Sequence, residues 1–309
     1  MNDYFPPDFL FISLKGMSTM NISLILQLLV SGICSSFVLL LTSLGLVIIM
    51  GYMKVVNLAH TEMLMLGAFI CYYFYQVMHI PFVLTLILSY LICFIFGMLV
   101  EIVVIRHFYG KMAETLLATY GLSIILKQLA LIVFGKSYKK VDYPVEHVIH
   151  LNTIYIESYK LILCVISLVA LVGTLLLINK TSMGRKIRAT TQNRTMTECL
   201  GIDTRRVDTI TFSHGMGLAG LAGAAIAPMS TVTYALGESW LTNTFMNVVM
   251  GGVSSLFGTV ASSFIIQEGV SMISGISNSV TAQIVVLMVV IVIVRIKPEG
   301  LFTPKGRRS

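Results

Sequence analysis

Asn57, His60 and Glu62 fall within one short segment, Asn57-Leu58-Ala59-His60-Thr61-Glu62, at the start of a long apolar run. Polar groups packed so closely at the start of a membrane helix admit two readings. Asn57 can cap the helix by accepting from a backbone N–H near His60, while Glu62 complements the positive end of the helix dipole. Alternatively, the helix is discontinuous and these groups face a translocation path. Glu101, Lys127, His214 and Glu268 also stand inside apolar runs, where an ionised group costs about 2.5–3.5 kcal/mol to insert. Glu101 is expected to pair with Arg106 and Glu268 to reach the outer interface. Lys127 is expected to snorkel along its own stem to the membrane surface.

Catalytic chemistry finds little support. His60-Thr61-Glu62-Met63-Leu64 lacks the second histidine of a zinc-protease helix and has its glutamate at the wrong offset. Gly135-Lys136-Ser137 resembles the end of a phosphate loop, but Ala130 stands where the first glycine belongs. The intervening residues read as a helix end, whose backbone N–H groups are not free to cradle phosphate. If ATP energises this protein, the ATPase is another chain. Cys34, Cys71, Cys93, Cys164 and Cys199 form no CxxC pair, so they imply neither disulfide nor metal, and no cofactor is expected.

The elements that carry these groups follow from composition. Of 309 residues, 56% are hydrophobic and 11% charged, against about 25% charged in an ordinary soluble domain. The mean hydropathy of +0.89 points to lipid as the main solvent. Apolar runs cover 22–53, 56–77, 81–105, 113–134, 159–178, 207–228, 241–273 and 280–294. The expected fold is all-α, a polytopic bundle of about eight membrane elements in one domain over 1–309. The net charge of +7 does not imply nucleic acid, because the basic residues sit at the ends of apolar runs. That placement is the positive-inside pattern. It puts loops 106–112 and 179–207 and the C-terminal tail on the cytoplasmic side and the N-terminus outside. Parity then requires 241–273 to enter and leave on one side, turning at Gly251-Gly252-Val253-Ser254-Ser255. Met1 to Phe11 carries acids and no basic region, unlike a secretory signal peptide.

Two further patterns stand out. Gly215, Ala219, Gly223 and Ala227 recur every fourth residue, a spacing that lets helices approach closely. Within the basic loop, 192–200 is expected to form a short helix, with Gly201 at its C′ position and Asp203 or Thr204 capping the next. Met196, Cys199 and Leu200 make an apolar stripe on it. Such a helix can dock a soluble partner or anchor in lipid headgroups.

The stretches MGRKIRATTQNRTMTECLGIDTRRVDTITF, GLAGLAG, NVVMGGVSSLFGTV, KPEGLF and VVNLAHTEMLMLGAF resemble the permease subunits of bacterial importers, driven by ATP-binding cassettes, for branched-chain amino acids and urea. The runs ATTQNR, CLGI and RRVD look closer to the urea branch. The resemblance implies an inner-membrane permease for urea or a short amide, or for a branched-chain amino acid in the same machine. It further implies a second related permease, two cytoplasmic ATPases and a periplasmic binding protein. Residues 192–202, with Arg194, Met196, Leu200 and Gly201, would fit the ATPase, and Asn57, His60, Glu62 and Asn243 would lie along the path. The chain departs from the family pattern at Thr61, and from the urea branch at His214, Thr233-Tyr234, Glu238, Asn243 and Ser254. A stand-alone channel or ion-coupled carrier is the reading from a different class. Few carboxylates stand at mid-span, and the long basic loop favours a docked partner.

Overall fold

The computed structural model describes residues 22–151 and 154–302. The N-terminal stretch and the tail cations Lys305, Arg307 and Arg308 lie outside these. Helix α1 spans Ile22–Ile48 and continues through widened turns to Met53. Helix α2 spans His60–Cys71 and continues likewise to Val77. Then follow α3 (Phe82–Val103), α4 (Met112–Phe134), a two-stranded hairpin of β1 (Val148–Leu151) and β2 (Ile154–Glu157), and α5 (Ser158–Lys180). Two short helices, α6 (Ser182–Gln192) and α7 (Arg194–Cys199), precede α8 (Thr204–Ile226), α9 (Leu236–Gly251), α10 (Leu256–Ser274) and α11 (Ser279–Ile296). Among the described residues, seven helices are long and apolar enough to cross a membrane, with α2 and α9 as shorter additions. The all-α polytopic bundle is therefore what the chain forms.

α1 and α8 are the buried axis, and the other spans present apolar surface outward. The close approach along this axis needs glycine. A Cβ on Gly45 would overlap the Gly215 carbonyl, and one on Gly223 would overlap the Leu64 carbonyl. Ala219 and Ala227 are buried on the same helix and its short continuation.

Contacts between segments sort the loops to two ends. Thr191 Oγ1 donates to the Tyr52 carbonyl, Leu301 N–H to the Met250 carbonyl, and Arg106 reaches Thr209. The basic loops, the end of α1 and the α9–α10 turn thus share one end. At the other, Ser271 Oγ donates to the Leu28 carbonyl, and Lys139 pairs with Val232. The α9–α10 pair turns at residues 252–255, the position expected from parity.

Two helices begin inside the bundle. The chain leaves α1 at Lys54, whose φ of 56° turns it back. Residues 54–59 return to the level of Thr42, whose carbonyl lies 3.2 Å from His60 Nε2. At about 1.5 Å per residue, this is well short of the end of α1. α2 starts there, and α9 starts beside it: a Cβ on Gly237 would lie 2.6 Å from the Thr61 carbonyl. From this meeting point α2 runs to the outer end and α9 to the basic end.

Candidate functional site

Asn57, His60 and Glu62 are brought together at the start of α2, and all three are buried. Asn57 Oδ1 accepts from Ala59 N–H at 3.0 Å, so the side chain closes a turn just before the helix. Its amide donates to Met216 Sδ on α8. Among the described residues, His60 Nδ1 and Thr61 Oγ1 have no hydrogen-bond partner. Ser123 Oγ, midway along α4, donates to Glu62 Oε1 at 2.9 Å, and Glu62 Oε2 has no partner among the described residues. Asn243 is half-buried on α9. Its successors Thr244 and Asn247 make the bonds to α1, at Thr42 and Ser43. Ser262 of α10 completes this seam by donating to the Asn247 carbonyl at 2.7 Å. The seam escaped the sequence reading, although Thr244 and Asn247 stand at the i, i+3 spacing of one helix face.

Lys127 does not snorkel. Its ammonium lies 2.8 Å from Glu238 Oε2, joining α4 to the first turn of α9. Glu101 is fully buried and takes Arg106 at 3.1 Å, but it also accepts from Thr209 at 2.7 Å and Tyr109 at 2.9 Å. Glu268 lies against Gly32 of α1, in the outer part of the bundle. His214 Nδ1 meets the Tyr90 hydroxyl at 2.7 Å. It lines an almost wholly apolar cavity of about 650 Å³ between α3, α5 and α8.

At the basic end, local rules place α7. Asn193 Oδ1 accepts from Met196 N–H at 3.0 Å, capping the helix, and Gly201 takes φ 77° just beyond it. Asp203 caps α8 by accepting from Arg206 N–H. Met196 and Leu200 are 59% and 74% exposed, and Cys199 is exposed beside them. Arg194 is engaged rather than free. It pairs with Glu198 at 3.3 Å and Asp208 at 2.7 Å, and its guanidinium lies over the Tyr109 ring. Burial pushes the Tyr109 phenol up, which keeps it a donor to Glu101.

Residues 28–294 match the family described as the branched-chain amino acid transport system permease component. This chain belongs to that family. It is 23% identical to the high-affinity branched-chain amino acid transport system permease protein BraD of Pseudomonas aeruginosa, over 89% of this chain and 95% of BraD. It is 21% identical to LivH of Escherichia coli strain K12, a permease protein described in the same words, over 89% of this chain and 94% of LivH. A probable branched-chain amino acid transport permease protein of Methanocaldococcus jannaschii is 26% identical over 42% of this chain and 44% of its own length. No solved structure matches.

As a permease component, the chain is a non-catalytic, multi-pass protein of the inner membrane, and ATP is hydrolysed by a separate chain. The family also implies a substrate-binding partner. The segment ending in Gly135-Lys136-Ser137 agrees with this division of labour. Ala130 to Phe134 are the last turns of α4, and their N–H groups are spent within the helix. These relatives are named for branched-chain amino acids, and the comparisons do not distinguish a urea branch.

Proposed function

We propose that this chain forms one half of the translocation path of an ATP-driven importer for branched-chain amino acids. A second homologous permease forms the other half, two ATPases dock at the basic end, and a periplasmic binding protein delivers the substrate. The whole chain, 1–309, acts as one permease domain with its coupling loop at 179–207. Asn57, His60, Glu62 and Asn243 lie on or behind the path. Gly215, Ala219, Gly223 and Ala227 pack its central helices. The observation that carries the reading is the exposed Met196–Leu200 pair on a capped helix at the basic end. Two large apolar side chains held out on a short helix make an anchor for a protein groove, with Arg194 and Gly201 fixing its two ends. The names of the relatives support the amino-acid substrate.

Uptake of labelled leucine and urea by the assembled complex in vesicles, with and without ATP, tests this. ATP-dependent leucine uptake is expected. ATP-dependent uptake of urea alone would return the urea reading suggested by ATTQNR, CLGI and RRVD. Uptake independent of ATP would favour a stand-alone channel.

A further inference from the structure

The middle of the bundle sets two carboxylates against one cation. Ser123 and Lys127 stand one turn apart on α4 and so share a face. Ser123 bonds Glu62 and Lys127 bonds Glu238. Both acids lie in the first turns of helices that begin inside the bundle, α2 and α9. Those turns touch, because a Cβ on Gly237 would lie 2.8 Å from Glu62 Oε2. Among the described residues that oxygen has no hydrogen-bond partner, and neither has Thr61 Oγ1, although the two residues are only 2% and 1% exposed. The cation nearest in this row, Lys127, is already held by Glu238.

An unbalanced carboxylate at this depth is costly. The positive ends of α2 and α9 offset part of that cost, and a bound cation offsets more. Glu238 also has a side chain that is 63% exposed on the subunit surface. Lipid tails cannot solvate it, so this face borders water or protein. Beside Glu62, a cavity of about 210 Å³ opens between α2, α3 and α4, lined by Leu66, Phe96, Leu126, Leu129 and Phe134. That is room enough for an aliphatic side chain.

We propose that Lys127, Glu238 and Glu62 form a station for the charged ends of an α-amino acid in transit. Lys127 exchanges Glu238 for the substrate carboxylate, the two acids take its ammonium, and the aliphatic side chain enters the cavity. A zwitterion leaves the net charge of the site unchanged, but it brings an ammonium to Glu62 Oε2 and a carboxylate to Lys127. Charge-assisted bonds of this kind are short and strong. The proposal rests on the amino-acid reading above and assigns that substrate its contacts.

The test uses the assembled transporter in vesicles. Lys127→Met is expected to raise the KM for leucine tenfold or more, with ATPase copurification unchanged, and Lys127→Arg is expected to restore most of the loss. Glu62→Gln should raise KM in the same way. In a Cys199→Ser background, Ser239→Cys beside the pair should react with an impermeant thiol reagent. Millimolar leucine without binding protein should slow that reaction, and urea should not. Failure of the wild-type complex to take up leucine would remove the amino-acid reading itself. Leucine uptake with a KM unchanged within twofold in Lys127→Met and Glu62→Gln would overturn the station alone. So would crosslinking of Ser239→Cys to a second permease in place of labelling.

Discussion

Arg194 Nη1 lies 2.7 Å from the Asp208 carboxylate, an ion pair that ties the short helix α7 to the central helix α8. Asp208 is 5% exposed and sits one residue before Thr209, which donates to the buried Glu101 of α3. A push on α7 therefore reaches two membrane helices through charged contacts. Arg194 thus braces α7 against α8. Exposed pairs contribute under about 1 kcal/mol and breaking buried ones costs about 3–5 kcal/mol, so about 2 kcal/mol suits this half-exposed arginine. Arg194→Ala and Asp208→Asn should each lower ATP-driven uptake severalfold while ATP hydrolysis continues. The swap Arg194→Asp with Asp208→Arg should recover part of the loss. Full coupling in both single variants, measured as substrate moved per ATP, would show that α7 transmits by another contact.

The glycines of the central axis give a stability prediction with a built-in control. A Cβ at Gly215 or Gly223 meets backbone carbonyl or a packed side chain, whereas one at Gly173 meets nothing within 4 Å. Overpacking typically costs about 1–3 kcal/mol. Gly215→Ala and Gly223→Ala should lower the thermal unfolding midpoint of the purified protein and reduce its yield. Gly173→Ala should leave both unchanged or raise them. Equal behaviour of the three would mean the helices do not pack this closely.

How much of this was legible depended on the range of the interactions involved. The cap of α8 at Asp203 and the bend at Gly201 are local, and local residue types sufficed to place them; the Asn193 cap of α7 is equally local but lay inside the helix expected over 192–200. Parity of charge located the 252–255 turn. α6 went unread because its residues, from Ser182 to Gln192, form no continuous apolar run. Lys127 and Glu238 are 111 residues apart. Nothing near either one announces the other, so Lys127 was read as snorkelling. The start of α2 was read as an Asn57 cap with Glu62 on the dipole, or as a discontinuous helix. The first part needs only neighbours, yet Asn57 is not the cap: Ala59 holds that position without a side-chain bond, and Asn57 closes the turn just ahead of it. The second needed the return of residues 54–59 beside α1, which no local pattern encodes.

The apolar pair on α7 should matter more than its surroundings. Truncating an interface anchor costs about 2 kcal/mol or more. Met196→Ala with Leu200→Ala should release the ATPase on purification, or leave hydrolysis that no longer drives uptake, while the subunit still inserts. Normal copurification together with normal uptake would return this helix to a lipid-facing role.

Acid should loosen α7. The Thr204 hydroxyl donates to Glu198 at 2.5 Å, and with Arg194 it holds that carboxylate below its usual range. A folded value below the unfolded one stabilises the contact above the unfolded value of about 4.5, and the contribution is lost as pH falls through the folded value. Amide exchange in α7 should therefore quicken below that pH, after correction for intrinsic rates. Glu198→Gln should remove the dependence. Slower corrected exchange on acidification would contradict the bond.

Orientation can be read from one native and one introduced thiol. Cys199 is exposed at the basic end, next to the α7 knob, while Cys34, Cys71 and Cys93 are buried. Ser277 is exposed at the opposite end, in the link between α10 and α11. Lys and Arg gather around Cys199, and such loops stay on the cytoplasmic side. An impermeant maleimide added to right-side-out vesicles should label Ser277→Cys, in a Cys199→Ser background, and leave native Cys199 untouched. Inside-out vesicles should give the reverse. The contrast does not depend on the span count, because seven spans and the two helices that start inside the bundle leave these positions at opposite ends. Labelling of both thiols from one side would mean that α8 or α10 does not cross, and the parity that places α9 and α10 as a same-side pair would fail with it.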